Sequence, residues 1–296
     1  WRLAVRNLFR HRRRSLSALL AIGLGVTTLL IASGFIQWIF WAMREATIQS
    51  QLGHIQVVKR GYFKHGRADP FHYLLPETTS VLEAIRRTPH VTAVTPRLFF
   101  SGLISHGETT VSFLGTGVQP ETERRVSRQV ALIRGHDLDE RGGAILGEGL
   151  AASLGVVPND KVVMLANTAS GGINAVELTV QGIFRTATKA YDDVALRIPI
   201  AQAQTLVRVA GAHEWVVLLD DTDRTPAVLN GLRRRLAGEK TDLDLVPWYD
   251  RADFYNKTVT LFSRQVDVVW VLIAAVMVLS ISNTMIMSML ERTREI

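Results

Sequence analysis

Residues 15–43 read SLSALLAIGLGVTTLLIASGFIQWIFWAM, and residues 268–290 read VVWVLIAAVMVLSISNTMIMSML. Neither stretch holds a charged side chain: the first lies between Arg14 and Arg44, the second between Asp267 and Glu291. A helix needs about 20 consecutive apolar residues to cross the hydrocarbon core of a bilayer, whereas about 10–14 suffice for a buried helix of a soluble domain. Both runs are long enough to span. They decide the fold class: a membrane protein of α+β type in which two transmembrane helices, 15–43 and 268–290, flank one large domain. A cleaved signal peptide is the competing reading of the first run, but its apolar core would be only about 7–15 residues long and would lead into a small-residue cleavage site. Residues 35–41 are bulky instead, and Trp38, Phe40 and Trp41 gather where aromatic rings settle at the headgroup level, so this run stays as an anchor.

Charge sets the orientation. The formal net charge of +7 among 296 residues suggests nucleic acid at first sight, yet Arg2, Arg6, Arg10, Arg12, Arg13 and Arg14 supply +6 of it within the first fourteen positions. Arginines clustered beside a span follow the positive-inside bias and attract anionic headgroups, which makes Arg6, Arg10, Arg12, Arg13 and Arg14 the candidate membrane-surface residues and places the N-terminus in the cytoplasm. Two crossings return the chain to the cytoplasm at 291–296, and the domain between them lies outside. In residues 1–14, Trp1, Val5, Leu8 and Phe9 recur at helical spacing with arginines on the other face, as in a helix lying in the membrane interface. With no cysteine, the sequence holds neither a disulfide framework nor a thiolate metal site.

The intervening domain alternates strand and helix patterns. Residues 53–59, 79–88 and 91–105 read strand, helix, strand, and so do 214–219, 225–237 and 244–248. That repetition predicts a split βαβ part made of 44–107 and 211–249, interrupted by a β-rich insertion at 108–210 with strands near 109–114, 161–165, 176–184 and 194–199 and short helices near 148–154 and 201–209. The pairs Asn159-Asp160 and Gly171-Gly172 mark turns, and Asn174 is expected in an exposed turn. Residues 250–267 carry a capped helical pattern that enters the second span without Pro or Gly, and so form a stalk. Within the spans, Ala21 and Gly25 stand four apart as small residues, and Ser280 and Asn283 add hydrogen-bonding capacity to the second span. These four are candidate helix-packing residues.

Enzyme chemistry finds no foothold. The Gly147-Glu148-Gly149 segment lacks the Lys-Ser/Thr pair of a phosphate loop and reads as a strand-to-helix turn. The histidines, among them His54, His90 and His213, have no ligand spacing and read as surface or hydrogen-bonded residues. Asp192-Asp193 and Asp220-Asp221 read as turn closers. No catalytic, cofactor-binding or metal residue is assigned.

Five segments carry a specific resemblance: LAVRNLFRHRRRS at 3–15, GHIQV at 53–57, GAILGEGLAASLGVVPNDKVVML at 143–165, VQGIF at 180–184 with YDDVALRIPIAQAQTL at 191–206, and SISNTMIMSMLERTREI at 280–296. Together they resemble the permease subunit of MacB/LolE/FtsX-type bacterial ABC transporters, and GHIQV and the Tyr191-Asp192 element resemble the lipoprotein-releasing LolC/LolE-like members. The resemblance implies a non-catalytic subunit of the bacterial inner membrane with a periplasmic central domain. ATP and Mg would be held by a partner ATPase in the cytoplasm, and the work would be release of lipoprotein or another lipophilic substrate. It implies a second permease subunit, a membrane-lipid environment and a periplasmic carrier or adaptor, and no nucleic acid. Glu291, Arg292, Arg294 and Glu295, in the ERTREI run, would begin the contact with the ATPase. Third and fourth spans are expected beyond residue 296. The alternatives are a two-span sensor with an outer ligand-binding domain and an FtsX-like regulator of cell division.

Overall fold

The computed structural model describes residues 12–66, 69–76, 79–139, 142–186, 188–237 and 242–293. Helix α1 takes up Arg12–Thr47 without a break and then widens into a π-helical turn, Ile48–Leu52. The last helix, Asp253–Thr293, holds the residues read as stalk together with those read as second span. Gly23–Leu52 and Asp253–Asn283 are long and apolar enough to cross a membrane, and their apolar windows are not buried within the chain. Long apolar faces left open to this extent need an apolar solvent or partner. Contacts divide the chain into two units, one made of the two long helices up to Arg44 and from Phe254, the other Glu45–Asp253.

The second unit is built on one ten-stranded sheet. Its strands are β1 (Ile55–Lys59), β2 (Val91–His106), β3 (Thr109–Val118), β4 (Ala131–Gly135), β5 (Ala144–Gly147), β6 (Lys161–Asn167), β7 (Ile173–Arg185), β8 (Ala195–Pro199), β9 (Glu214–Leu219) and β10 (Leu243–Pro247). They run in the order β10-β1-β9-β2-β3-β8-β5-β7-β4, with β6 against β2 and β7. The helices that matter below, after α1, are α2 (Ser80–Arg86), α3 (Pro120–Val126), α4 (Glu148–Leu154), α5 (Ile200–Val207), α6 (Thr225–Leu236) and α7 (Asp253–Thr293).

The order β10-β1-β9-β2, antiparallel throughout, is the spatial order of a split βαβ pair. Helices α2 and α6 cover it, placing Leu82, Ile85, Leu229 and Leu232 on Val57, Val94, Trp215 and Val217. Both helices start as their sequences dictate: the Thr79 side chain accepts the Leu82 N–H at 3.1 Å, and Pro226 occupies the first turn of α6 where its missing N–H costs nothing. Strand β2 is the spine. Its first half pairs with β9 and buries Ala93, Val94, Thr95, Arg97 and Leu98, while in its second half Phe100 and Ile104 point inward and Leu103 outward. That second half joins a second core in which α4 and α5 pack Leu150, Leu154, Ala203 and Leu206 against Phe113, Met164 and Ile183. The fold class expected from sequence is the one observed. Asn174 is not in a turn: it sits in β7 and its amide donates to the Leu206 carbonyl at 3.0 Å, so the exposed turn is Thr168–Gly172 just before it.

Candidate functional site

A helix ends with carbonyls that no later residue of the helix can satisfy, and burying them unpaired is costly. The helix that starts as the first apolar run ends inside the second unit, where Ile48 and Ser50 are buried. All five carbonyls of its π-turn are taken. Ile48 O accepts Gly53 N–H at 2.8 Å, Gln49 O accepts Gln129 N–H at 3.3 Å, Ser50 O accepts Arg197 Nη2 at 3.2 Å, Gln51 O accepts Arg97 Nη1, and Leu52 O accepts Gln56 Nε2 at 3.1 Å. Three of the donors belong to segments far away in sequence. Two are guanidinium ions, the charge sign that the negative end of a helix favours. Gly53 makes the exit possible: its φ is +62°, and a Cβ there would lie 2.2 Å from Val216 Cγ1.

Arg97 (β2) and Arg197 (β8) are held by one carboxylate. Glu123 of α3 accepts from Arg97 Nε at 3.1 Å and Nη2 at 2.7 Å in a two-pronged pair, from Arg197 Nη1 at 3.3 Å and from the Ser127 hydroxyl. Arg197 Nη1 also donates to Ser127 Oγ at 3.1 Å, and its guanidinium lies 5.4 Å from the centre of the Phe184 ring. Glu214, first residue of β9, stands 3.9 Å from Arg97. All four charged groups are buried. Burial alone would raise the Glu123 carboxyl, but the charges of Arg97 and Arg197 and the hydrogen bonds from Arg97 and Ser127 outweigh it and hold it down at about 2. Glu214 goes the other way, pushed up to about 7 by burial and, to a lesser degree, by Glu123, against the pull of Arg97 and Arg251. Burial also works against the charge of Arg97, but Glu123 and Glu214 hold its pKa above the usual arginine value.

A second tie fastens the last turn of α1. Leu219 N–H donates to His54 Nδ1 at 3.0 Å, which leaves the ring proton on Nε2 to meet Thr222 Oγ1 at 3.0 Å, and the Thr222 hydroxyl donates to Glu45 Oε1 at 2.8 Å. At the other end of β9, His213 is wholly buried against Tyr62 and Phe99 and accepts Phe99 N–H at 2.9 Å. Burial lowers its pKa to about 4. This set is a latch that grips one helix end from four separate elements, and breaking one member of a buried ion pair costs about 3–5 kcal/mol.

Of the residues singled out from sequence, Arg6, Arg10, Arg294 and Glu295 lie outside the described residues. Arg12, Arg13 and Arg14 open α1 and Glu291 and Arg292 close α7, their backbones being helical. Ala21 and Ser280 are likewise helical; Asn283 is exposed, and a Cβ added at Gly25 would meet nothing within 4 Å. Gly147 ends β5 and opens α4, the strand-to-helix turn read from sequence, and Asp192 is buried as the acceptor of Thr186 N–H at 3.0 Å. Among the described residues no group of His, Cys, Asp or Glu is placed to hold a metal. Apart from His54, read as a surface or hydrogen-bonded histidine and found hydrogen-bonded, the latch residues were not singled out. A lone arginine inside an apolar strand was the available signal, in VTPRLFF at 94–100 and VALRIPI at 194–200; Glu123 gave none.

The family model described as the MacB-like periplasmic core domain matches residues 15–235, which contain α1 from Ser15 on, the latch and nearly all of the sheet. The chain belongs to the MacB/LolE/FtsX-type ABC transporter permeases. Among curated relatives, the lipoprotein-releasing system transmembrane protein LolE of Haemophilus influenzae is 22% identical over 226 residues, covering 72% of this chain and 52% of the relative. The chain thus spans about half the length of that protein. Among solved structures, the periplasmic region of MacB from Actinobacillus actinomycetemcomitans aligns with a TM-score of 0.50 at 14% identity, over 72% of this chain and 94% of that one. The extracellular domain of the noncanonical ABC-type transporter YknZ from Gram-positive bacteria aligns with a TM-score of 0.47 at 13% identity, over 66% and 100%. The MacB likeness supports the fold of this MacB-type domain and nothing finer.

Proposed function

We propose that this MacB-type chain is the membrane subunit through which a cytoplasmic ABC ATPase, holding ATP and Mg, moves a periplasmic domain in the bacterial inner membrane. The observation that carries the reading is the latch: the helix that begins as an apolar span ends with every carbonyl of its last turn bound by the domain, so a shift of that helix pulls directly on β2, β8 and the loop before β4. Glu291, Arg292, Arg294 and Glu295 are the residues we assign to the ATPase contact, where mixed charge can pair with a complementary surface. The arginines at 6–14 fix the N-terminal side in the cytoplasm. Our reading of the substrate class is a lipoprotein or other lipophile released from the outer leaflet, supported by the likeness to LolE and by the scarcity of ionisable groups in the spans, which offer no polar path. A second permease subunit and a periplasmic carrier complete the assembly.

The absence of cysteine makes a direct test clean. Ser170→Cys, in the exposed turn before β7, is expected to react with an impermeant maleimide in cells whose outer membrane has been opened, and the labelled chain is expected to co-purify with an ATPase bearing a Walker A sequence. Labelling that requires lysis of the inner membrane would reverse the topology and defeat the proposal.

A further inference from the structure

Glu214 differs from the other charged groups of the latch in making no side-chain hydrogen bond. It is 4% exposed, and among the described residues no donor lies within bonding distance of its carboxyl. A buried carboxyl in that state is far cheaper neutral than ionised. The cation that comes close is Arg97, its opposite number in the β2–β9 register, with Nη1 3.9 Å away. That same nitrogen donates to Gln51 O in the π-turn that ends the first helix.

The groups facing Glu214 come from every element around it. Arg97 stands on β2 and Glu123 beyond it on α3, while Val58, its partner on β1, brings no charge. Arg251, just before α7, and Tyr62, after β1, are near enough to couple to it electrostatically. The Tyr62 hydroxyl, raised by burial and then by Glu214, keeps its proton, and His213 next to it in the chain is uncharged above about 4. Against Arg97 and Arg251, burial and Glu123 push the Glu214 carboxyl up to about 7.

Arg97 Nη1 thus stands between a carbonyl that it holds and a carboxyl that it does not. A hydrogen bond to an ionised acceptor is about twice as strong as one to a neutral acceptor, and forms at about 2.8 Å. The guanidinium is a rigid fork, so Nη1 closes on Glu214 only if the whole group shifts. We propose that Glu214 is a proton-operated release for the latch: protonated, it leaves Arg97 on Gln51 O and Glu123; ionised, it draws Arg97 to itself and frees the last turn of α1. In the released state the ionised carboxyl has a partner, so this state binds the proton less tightly than the latched one. Release therefore becomes easier as pH rises from the ordinary glutamate value of 4.5 to about 7, and levels off above it. On the permease reading, on which its purpose rests, acidity outside the membrane sets how firmly the domain grips α1.

Amide exchange of the full chain in lipid nanodiscs, without ATPase or nucleotide, is followed from pH 5.5 to 7.5 and divided by the intrinsic rate of each amide. Gly53 and Gln129, whose N–H groups bond Ile48 O and Gln49 O, report on the latch; Met164, buried in the second core, reports on global unfolding. In the native chain the opening constant at Gly53 and Gln129 is expected to rise about tenfold over that range, exceeding any change at Met164. In Glu214→Gln the rise is expected to vanish. A flat profile in the native chain overturns the proposal, as does a rise at Met164 as large as that at the latch. So does the same rise in Glu214→Gln, which would trace it to another group such as His54. Should Glu214→Gln fail to fold, Arg251→Met decides: it removes an exposed cation that lowers the Glu214 pKa, so the pH at which the rise levels off moves up, and an unchanged profile overturns the proposal. Exchange needs no ATPase, so failure here leaves the permease reading standing, and a reversed topology leaves this result standing.

Discussion

Glu123→Gln removes the one carboxylate shared by two buried guanidinium ions while keeping the shape of the side chain. In the wild type that carboxylate receives two bonds from Arg97 (3.1 and 2.7 Å), one from Arg197 (3.3 Å) and one from Ser127. The glutamine amide offers one neutral oxygen and turns an NH₂ group toward cations. Leaving buried charges without their partner costs about 3–5 kcal/mol. For a domain of this size that corresponds to a fall in melting temperature of about 10 °C. Glu214 is the only other carboxylate near Arg97 among the described residues. Since the charge of Glu123 helps to raise its pKa, the substitution lowers it and lets Glu214 ionise in compensation. The defect should therefore be smaller at pH 8 than at pH 5.5. The triple change Arg97→Met, Glu123→Leu, Arg197→Met removes all three charges together, which is close to neutral for the ions themselves, but it strips donors from the Ser50 and Gln51 carbonyls at about 1–3 kcal/mol each. Its damage should thus concentrate at the helix end. Melting followed by the fluorescence of buried Trp215 measures the global effect. Exchange of the Gln129 amide, which bonds Gln49 O, reports on the latch. A loss below about 1 kcal/mol in Glu123→Gln, or a Gln129 amide equally protected in the triple variant, would refute the reasoning.

The remaining expectations concern pH and the residues assigned to the ATPase contact. Between about pH 4.5 and 7, Glu214 in the folded chain keeps a proton that an unfolded glutamate has lost, so this group makes stability fall as pH rises; His213, folded near 4 and ordinarily near 6.5, makes stability rise with pH between those values. The two slopes oppose each other, each about 1.4 kcal/mol per pH unit at most, so the wild type should be nearly flat from pH 5 to 6.5. Glu214→Gln should leave only the histidine slope, losing about 2 kcal/mol on acidification across that window; an equally flat profile in the variant would contradict the assignment. Glu291→Lys with Glu295→Lys keeps a basic flank, so membrane insertion should survive while ATP-stimulated activity falls about tenfold; insertion with full activity would make these residues a flank only.

How much of this was legible in the sequence depended on whether the signal was local. Residues 148–154 and 214–219 announced a helix and a strand through composition, and α4 and β9 occupy those positions. The order of the split βαβ part followed from strand and helix patterns that each lie within a dozen residues. What could not be read was every feature made by residues far apart. Arg97, Glu123 and Arg197 meet across separations of 26 and 74 positions, and no periodicity encodes that meeting. Asn174 was misplaced because a Gly-Gly turn signal was extended one step too far, into a strand whose amide contact with α5 holds it. The π-turn at Ile48–Leu52 was invisible for a related reason: its widened spacing is stabilised by donors from β2, β8 and the loop before β4, not by its own side chains.

The most direct test of the central claim is a distance measurement between spin labels at Leu30→Cys in α1 and Ser170→Cys in the exposed turn, made on the chain assembled in lipid with the ATPase that the proposal calls for, with and without trapped ATP. The account predicts a distance distribution that shifts on ATP binding in the otherwise native chain, and one that no longer shifts when Arg97→Met, Glu123→Leu and Arg197→Met are combined with normal insertion and normal ATPase binding. Identical distributions with and without ATP in the native latch, or an equal shift once the latch is removed, would contradict it.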